Sequence, residues 1–201
     1  MPTLYTSGEI ANIIARPKKA TRFHESRVRK LIVNGLIVPD DKTEGGHLRF
    51  SGQYLAMAAV YSAMLDADIS HTAATSPQGF DESAFVAAQF AMTFHHRGRA
   101  GKIDRSKDTP ESGLAWAAAN PNTITRAMNG VAKGEWWVLR IDHMRDDQTG
   151  AKRFLAVAYE QGQPAPECPM PKRKSETPAM SFLIPLNPIL LPIVADRSGA
   201  N

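Results

Sequence analysis

The stretch "RVRKLIVNGLIVPDDKTEGGHLRFS", residues 27–51, decides the order of the elements around it. Its first part predicts a helix over about 24–33, because three aliphatic residues recur there at helical spacing. They are Val28, Leu31 and Ile32. Asn34-Gly35 is typical of a left-handed helix stop. We therefore expect a helix with one apolar face that ends before Pro39.

The second part of this stretch predicts two short strands over 40–50. Gly45 and Gly46 are expected to supply the positive backbone angles that the turn between them requires. Ser51 follows directly and is positioned to cap a third helix that runs to about Leu65. Helix, strand, turn, strand and helix are thus predicted from one short segment.

Upstream, a first helix is predicted to begin at Thr6 or Ser7, with Glu9 in its first turn. Its inner face consists of isoleucines at helical spacing: Ile10, Ile13 and Ile14. Pro17 should end it, because the residue before a proline is disfavoured in the helical region.

The chain has 201 residues, 43% hydrophobic residues and a net charge of +4. These values allow one compact domain or two small ones. The charge fits a polyanionic partner without requiring one. It is concentrated, since residues 16–30 hold seven Lys or Arg and one acid, Glu25.

Cys168 is the single cysteine, and so an intrachain disulfide and a thiolate metal cluster are excluded. A reducing, cytoplasmic compartment is the natural expectation. The first residues lack the pattern of a signal peptide. The apolar tail over 180–194 is broken by three prolines, and we expect no membrane span.

Further along, a fourth helix is predicted over 81–96, and the basic stretch 98–107 is expected to be a linker between 1–97 and 108–201. Thr109 is expected to cap one helix, and another should lie between Asn122 and Lys133. "EWWVLRIDHM" and "KRFLAVAYEQ" predict a β-hairpin with Gly150 in its turn. A proline-rich loop over 162–179 and an irregular extended segment over 181–194 follow.

Trp136 and Trp137 should point to opposite faces of a strand, so that one is in the core and the other at an interface. His95-His96 is expected at the C-terminus of a helix, where histidine interacts favourably with the helix dipole. This interpretation is preferred to half of a metal site.

The predicted order of elements is that of a winged helix-turn-helix: a helix, a basic turn, a second helix, a two-stranded wing and a third helix. "YTSGEIA", "RVRKLIVNGLIVP" and "TEGGHLRFS" together resemble the DNA-binding head of the MerR family of transcriptional regulators. The matching positions are Arg29, Gly35, Leu36, Pro39, Gly45, Gly46, His47, Arg49 and Phe50. Leu48 stands where a basic residue is common. The predicted class is α+β, with an N-terminal winged head and a smaller C-terminal α+β region that contains the hairpin.

The resemblance implies binding of palindromic double-stranded DNA by a homodimer. For this chain we expect no cofactor and no metal. Three departures accompany it. The turn before the second helix is longer than in the family, no long heptad helix follows the head, and the cysteines of the family's metal sensors are missing. Metal sensing is therefore disfavoured, and the family's coiled-coil dimer contact is in doubt.

Twelve residues are predicted to contact DNA: Lys18, Lys19, Thr21, Arg22, His24, Ser26, Arg27, Arg29, Lys30, Lys42, His47 and Arg49. The lysines of the turn would neutralise phosphates. Ser26, Arg27 and Lys30 are expected to face outward toward base edges in the major groove. Arg29 would hold either a phosphate or an ion pair with Glu25, one turn before it.

Two other functions compete with a transcriptional regulator. A phage-type excision, packaging or architectural protein would use the same winged head. A protein-interaction head would leave the C-terminal region to bind a small-molecule or protein effector. Catalysis has little support, because the chain has no phosphate loop, dinucleotide fingerprint, nucleophile elbow or helical zinc-hydrolase motif.

Overall fold

A computed structural model describes residues 4–15, 21–69, 83–93, 121–166, 168 and 172–197. These residues form six helices and two antiparallel three-stranded sheets, a mixed α+β arrangement. The predicted linker over 98–107, the helix capped by Thr109 and His95-His96 lie outside the described residues, as does Pro17.

The first two helices follow the sequence patterns closely. Helix α1 spans Ser7–Ile14, and Thr6 and Glu9 form a reciprocal capping box at its start. Helix α2 spans Thr21–Val33, and so it begins three residues before the predicted start at about 24. The added turn is stabilised by contact between residues one turn apart, since the Arg27 guanidinium lies 4.2 Å from the centre of the Phe23 ring.

Helix α2 ends in the predicted left-handed stop. Gly35 has a φ of +67°, and the amide of Leu36 donates to the carbonyl of Leu31 over 2.9 Å while the Gly35 amide donates to Ile32. This pair of hydrogen bonds is the Schellman arrangement.

A small sheet follows, with strands β1 (Leu4–Tyr5), β2 (Asp41–Lys42) and β3 (Leu48–Ser51) in the order β1-β3-β2. Gly46 has a φ of +78°. The expectation of a positive angle at Gly45 is wrong, because the Gly46 amide closes the turn on the Thr43 carbonyl and only Gly46 needs the left-handed region.

Helix α3 spans Gly52–Asp66 with Ser51 at the N-cap, as predicted, but the Ser51 side chain makes no capping hydrogen bond. Ser51 still belongs to β3 and pairs with Leu4. Its backbone amide donates to Asp40 Oδ2 over 2.6 Å. The carboxylate of Asp40 thus fixes the junction between β3 and α3.

Helices α4 (Ala84–Thr93) and α5 (Thr123–Ala132) lead to the second sheet. Strands β4 (Trp137–Asp146), β5 (Lys152–Glu160) and β6 (Glu176–Pro185) adopt the order β5-β4-β6. The predicted hairpin is therefore confirmed as β4 and β5, with Gly150 at a φ of +71° in the turn.

Two expectations for the C-terminal segment are wrong. Strand β6 begins at Glu176, inside the predicted loop 162–179, because the buried Glu176 carboxylate pairs with Arg153 on β5. The extended segment expected over 181–194 is present only as far as Pro185, the end of β6, because helix α6 covers Asn187–Arg197. Pro188 lies in its first turn, where no amide donor is needed, and packing against α3 and α5 accommodates Pro192 inside the helix.

One buried cluster joins the two sheets through helices α3, α4, α5 and α6. Trp137 is 6% exposed and belongs to this cluster, whereas Trp136 is 60% exposed. The two tryptophans therefore take opposite environments, as expected, although Trp136 lies just before β4 and not in the strand. Tyr5 Oη donates to Asp196 Oδ2 over 3.5 Å, which links β1 to the last helix.

Candidate nucleic-acid interface

The inner face of α2 is apolar and holds the helix against its neighbours. Val28 is 1% and Leu31 4% exposed, and Ile32 is partly buried against the same cluster. Helix α2 contacts both α1 and α3. The three aliphatic residues therefore act as predicted, and they determine which side of the helix faces solvent.

The opposite face of α2 is open to solvent and mostly polar and basic, and it also carries the exposed apolar residue Val33. At 100° per residue, four exposed side chains cluster on the arc opposite Val28 and Leu31. They are Arg22, Ser26, Arg29 and Lys30. Among the described residues, none of these side chains has a hydrogen-bond or ion-pair partner. In particular, the ion pair considered between Arg29 and Glu25 does not form. Two arginines and a lysine are thus available to an external anion.

Arg27 does not face outward, and that expectation is wrong. Its Nη1 donates to Asp66 Oδ1 over 2.6 Å and to Ser62 Oγ over 3.0 Å, both on α3. The guanidinium also covers the Phe23 ring, and the side chain is only 16% exposed. Arg27 therefore connects α2 to α3. The angle of about 100° between successive helical residues places it toward α3 while Ser26 stays outside.

His24 also turns inward. Its side chain is half-buried, and Nδ1 is buried without a hydrogen-bond partner among the described residues. Burial lowers the pKa of His24, and the positive charge of Arg27 lowers it further, although Asp66 opposes this. A neutral, inward imidazole is a poor phosphate ligand, and so His24 is a packing residue of α2.

The tip of the β2–β3 hairpin carries exposed basic side chains. Lys42 lies on β2 and His47 follows the turn, and both are exposed to solvent. The turn is rigid, since the His47 amide donates to Thr43 Oγ1 over 3.1 Å and the Thr43 amide donates to the His47 carbonyl over 3.0 Å.

Arg49 is held against the body of the protein. Its Nη1 donates to the carbonyl of Leu4 over 3.4 Å, and its side chain is half-buried. On the other face of β3, Phe50 is fully buried and Leu48 contacts the same core. The alternation of the strand explains Leu48: it shares the inward face with Phe50, and so a basic residue there would be buried.

Lys18 and Lys19 lie outside the described residues, and of Thr21 only the backbone at the start of α2 is described. Sequence reasoning missed Ser62 and Asp66, which determine where Arg27 points. Neither residue carries a local signal for this role, since both lie more than 30 positions from Arg27 along the chain.

Within the described ranges, no group of three or more His, Cys, Asp or Glu side chains is arranged to hold a metal ion. In the same part of the chain, no helix has both the length and the apolarity to cross a membrane. No family model, no curated protein and no solved structure matches this chain.

Proposed function

We propose that the protein is a sequence-specific double-stranded DNA-binding transcriptional regulator, whose N-terminal elements act as a winged helix-turn-helix. The observation that carries this proposal is the two-sided character of α2. One side is apolar and fixed to α1 and α3, and the other presents Arg22, Ser26, Arg29 and Lys30 to solvent. A helix with such an exposed polar face fits the major groove of B-DNA.

In this proposal Ser26, Arg29 and Lys30 reach base edges, and Arg22 contacts a phosphate beside them. Hydroxyl, guanidinium and ammonium groups are suited to these contacts, because they donate to the acceptors that guanine and the phosphates present. Lys42 and His47 at the hairpin tip contact the flanking backbone. Arg27 contributes indirectly, since it fixes the position of α2 on α3.

The test is a binding selection from a random duplex library, followed by fluorescence anisotropy on the selected and on an unrelated duplex. We expect Arg29→Ala with Lys30→Ala to reduce the preference for the selected duplex by roughly tenfold or more, since each good base contact contributes about 1–3 kcal/mol. Lys42→Ala should weaken binding to both duplexes by the same factor. It should also make the slope of log affinity against log salt concentration shallower by about one.

Lys133→Ala is the matched control, because Lys133 is an exposed lysine at the end of α5, far along the chain from the hairpin. It should leave both affinities unchanged. No selected sequence, or equal binding of the parent and the Arg29/Lys30 variant, would refute the proposal. Selected binding without any effect on transcription from a promoter that carries the site would instead favour an excision, packaging or architectural role.

A further inference from the structure

The second sheet has two buried faces with different surroundings. Leu139 and Ile141 of β4 point into the main core, together with Ala156 and Ala158 of β5. The side chains on the opposite face lie outside that core cluster, yet three of them are only 3–4% exposed. They are Met144, Leu155 and Val157. Something other than the main core therefore covers this face.

The cover comes from the segment between β5 and β6. Cys168 Sγ donates to the carbonyl of Ala156 over 3.3 Å, and Pro166 lies on the same side. A cavity of about 590 Å³ remains between this segment and the sheet. Small-molecule sites span roughly 300–1,000 Å³. The cavity has the size of a ligand site.

The described polar lining of the cavity includes two cations, Arg140 and Lys172, and one carboxylate, Asp142. Arg140 Nε donates to Asp142 Oδ2 over 3.1 Å, and Ser181 Oγ donates to the other carboxylate oxygen over 2.7 Å. Both oxygens of Asp142 are therefore occupied. The terminal Nη groups of Arg140 donate to no described residue, and Lys172 at the rim has no described partner. Among the described lining residues, Arg140 and Asp142 form an ion pair, and Lys172 adds one further positive charge.

We propose that this cavity binds a small organic anion, a carboxylate or sulfonate with an apolar body. The body would contact Pro166 and Pro178, the more exposed apolar lining residues, and the small uncovered parts of Leu155, Val157 and Met144. The anionic group would accept from the Nη groups of Arg140 and from Lys172, a charge-assisted interaction of the stronger kind. Asp142 is a positioning residue, because it orients the guanidinium of Arg140, while Ser181 holds the Asp142 carboxylate in place. The inference does not depend on DNA binding by the head.

The probe is 8-anilinonaphthalene-1-sulfonate, an apolar aromatic anion, with N-phenyl-1-naphthylamine as its uncharged counterpart. We expect saturable fluorescence enhancement with one sulfonate probe per chain and binding of the neutral probe at least about tenfold weaker, equivalent to 1.4 kcal/mol. Arg140→Gln with Lys172→Gln should remove this difference, while Lys133→Gln keeps it. Arg140→Lys, which preserves the charge, should retain most of the binding if the sheet is intact by circular dichroism.

Cys168 supplies a second readout, because it is the only cysteine in the chain and lines the cavity. A saturating sulfonate probe should slow alkylation of Cys168 by iodoacetamide several-fold in the parent and not in the Arg140/Lys172 variant. Equal affinity for the charged and neutral probes, or unchanged alkylation at saturation, would overturn the proposal. These measurements use no DNA, and so their failure is separate from failure of the regulator proposal.

Discussion

Replacing Arg27 by alanine should destabilise the fold without selectively erasing a DNA sequence preference. The hydrogen bond from Arg27 to the buried Ser62 hydroxyl contributes about 1 kcal/mol. The ion pair with Asp66 contributes less, about 0.5 kcal/mol, because the Asp66 side chain is 62% exposed and screened by water. The contact with the Phe23 ring adds about 0.5 kcal/mol at this accessible site. The expected loss is therefore about 2 kcal/mol.

Urea unfolding followed by circular dichroism measures this loss directly, and thermal unfolding should show a decrease in Tm of about 4–8 °C for a chain of this size. Arg29→Ala is the matched control on the same helix. Arg29 is exposed and has no described partner, and so its removal should change the free energy of unfolding by less than about 0.5 kcal/mol.

The reasoning fails if the Arg27 and Arg29 variants are equally stable. It also fails if Arg27→Ala retains the parent stability and loses discrimination between the selected and unrelated duplexes. That second result would mean that Arg27 leaves α3 and faces the DNA. Asp66→Ala provides an independent check, since it should reproduce part of the instability without changing any residue of α2.

Three further predictions concern the C-terminal region. Arg153 lowers the pKa of Glu176 below its usual range. The stabilisation that this pair provides is therefore complete above the pKa of the unfolded chain and disappears as the pH falls through the pKa of the folded protein. Between about pH 6 and pH 3, the urea midpoint should decrease less in Glu176→Gln than in the parent. Gly130→Ala should cost about 1–3 kcal/mol, because the new Cβ would collide with the indole of Trp137; unfolding at parental stability would contradict this. Trp137→Phe should destabilise the fold by at least about 1 kcal/mol and Trp136→Phe should not; with the third tryptophan also replaced, Trp116→Phe, acrylamide quenching in the two variants should report one accessible and one shielded indole.

Glu176→Gln tests the charge of Glu176 separately from its hydrogen bonds, since the glutamine can keep the hydrogen bonds but not the charge. An equal pH dependence in the variant and the parent would mean that the ion pair does not contribute. Asp146 of β4 pairs with Glu176 of β6 in the sheet, and its hydrogen bonds with Ser175 and the Thr149 amide lower its pKa to about 2. Its contribution is therefore lost only at the acid end of the titration.

Local patterns in the sequence were sufficient for most of the elements. The capping box at Thr6, the left-handed stop at Gly35 and the positive angle at Gly150 depend on residues only a few positions apart. The hairpin of β4 and β5 follows from aromatic and β-branched runs on either side of one turn. Propensity, capping and turn chemistry act over this short range, and so the sequence alone specifies them.

Tertiary packing decided the features that connect distant segments. Helix α6 forms despite Pro192 because its apolar side packs on α3 and α5. Strand β6 begins at Glu176, whose carboxylate pairs with Arg153 of β5 across the intervening strand β4. In the candidate interface, too, some features follow from local sequence and others from tertiary packing. Helical periodicity alone places Val28 inside and Lys30 outside, but Arg27 lies at the boundary between the two faces. Its direction is chosen by Asp66, 39 residues later, and no pattern local to α2 contains that partner.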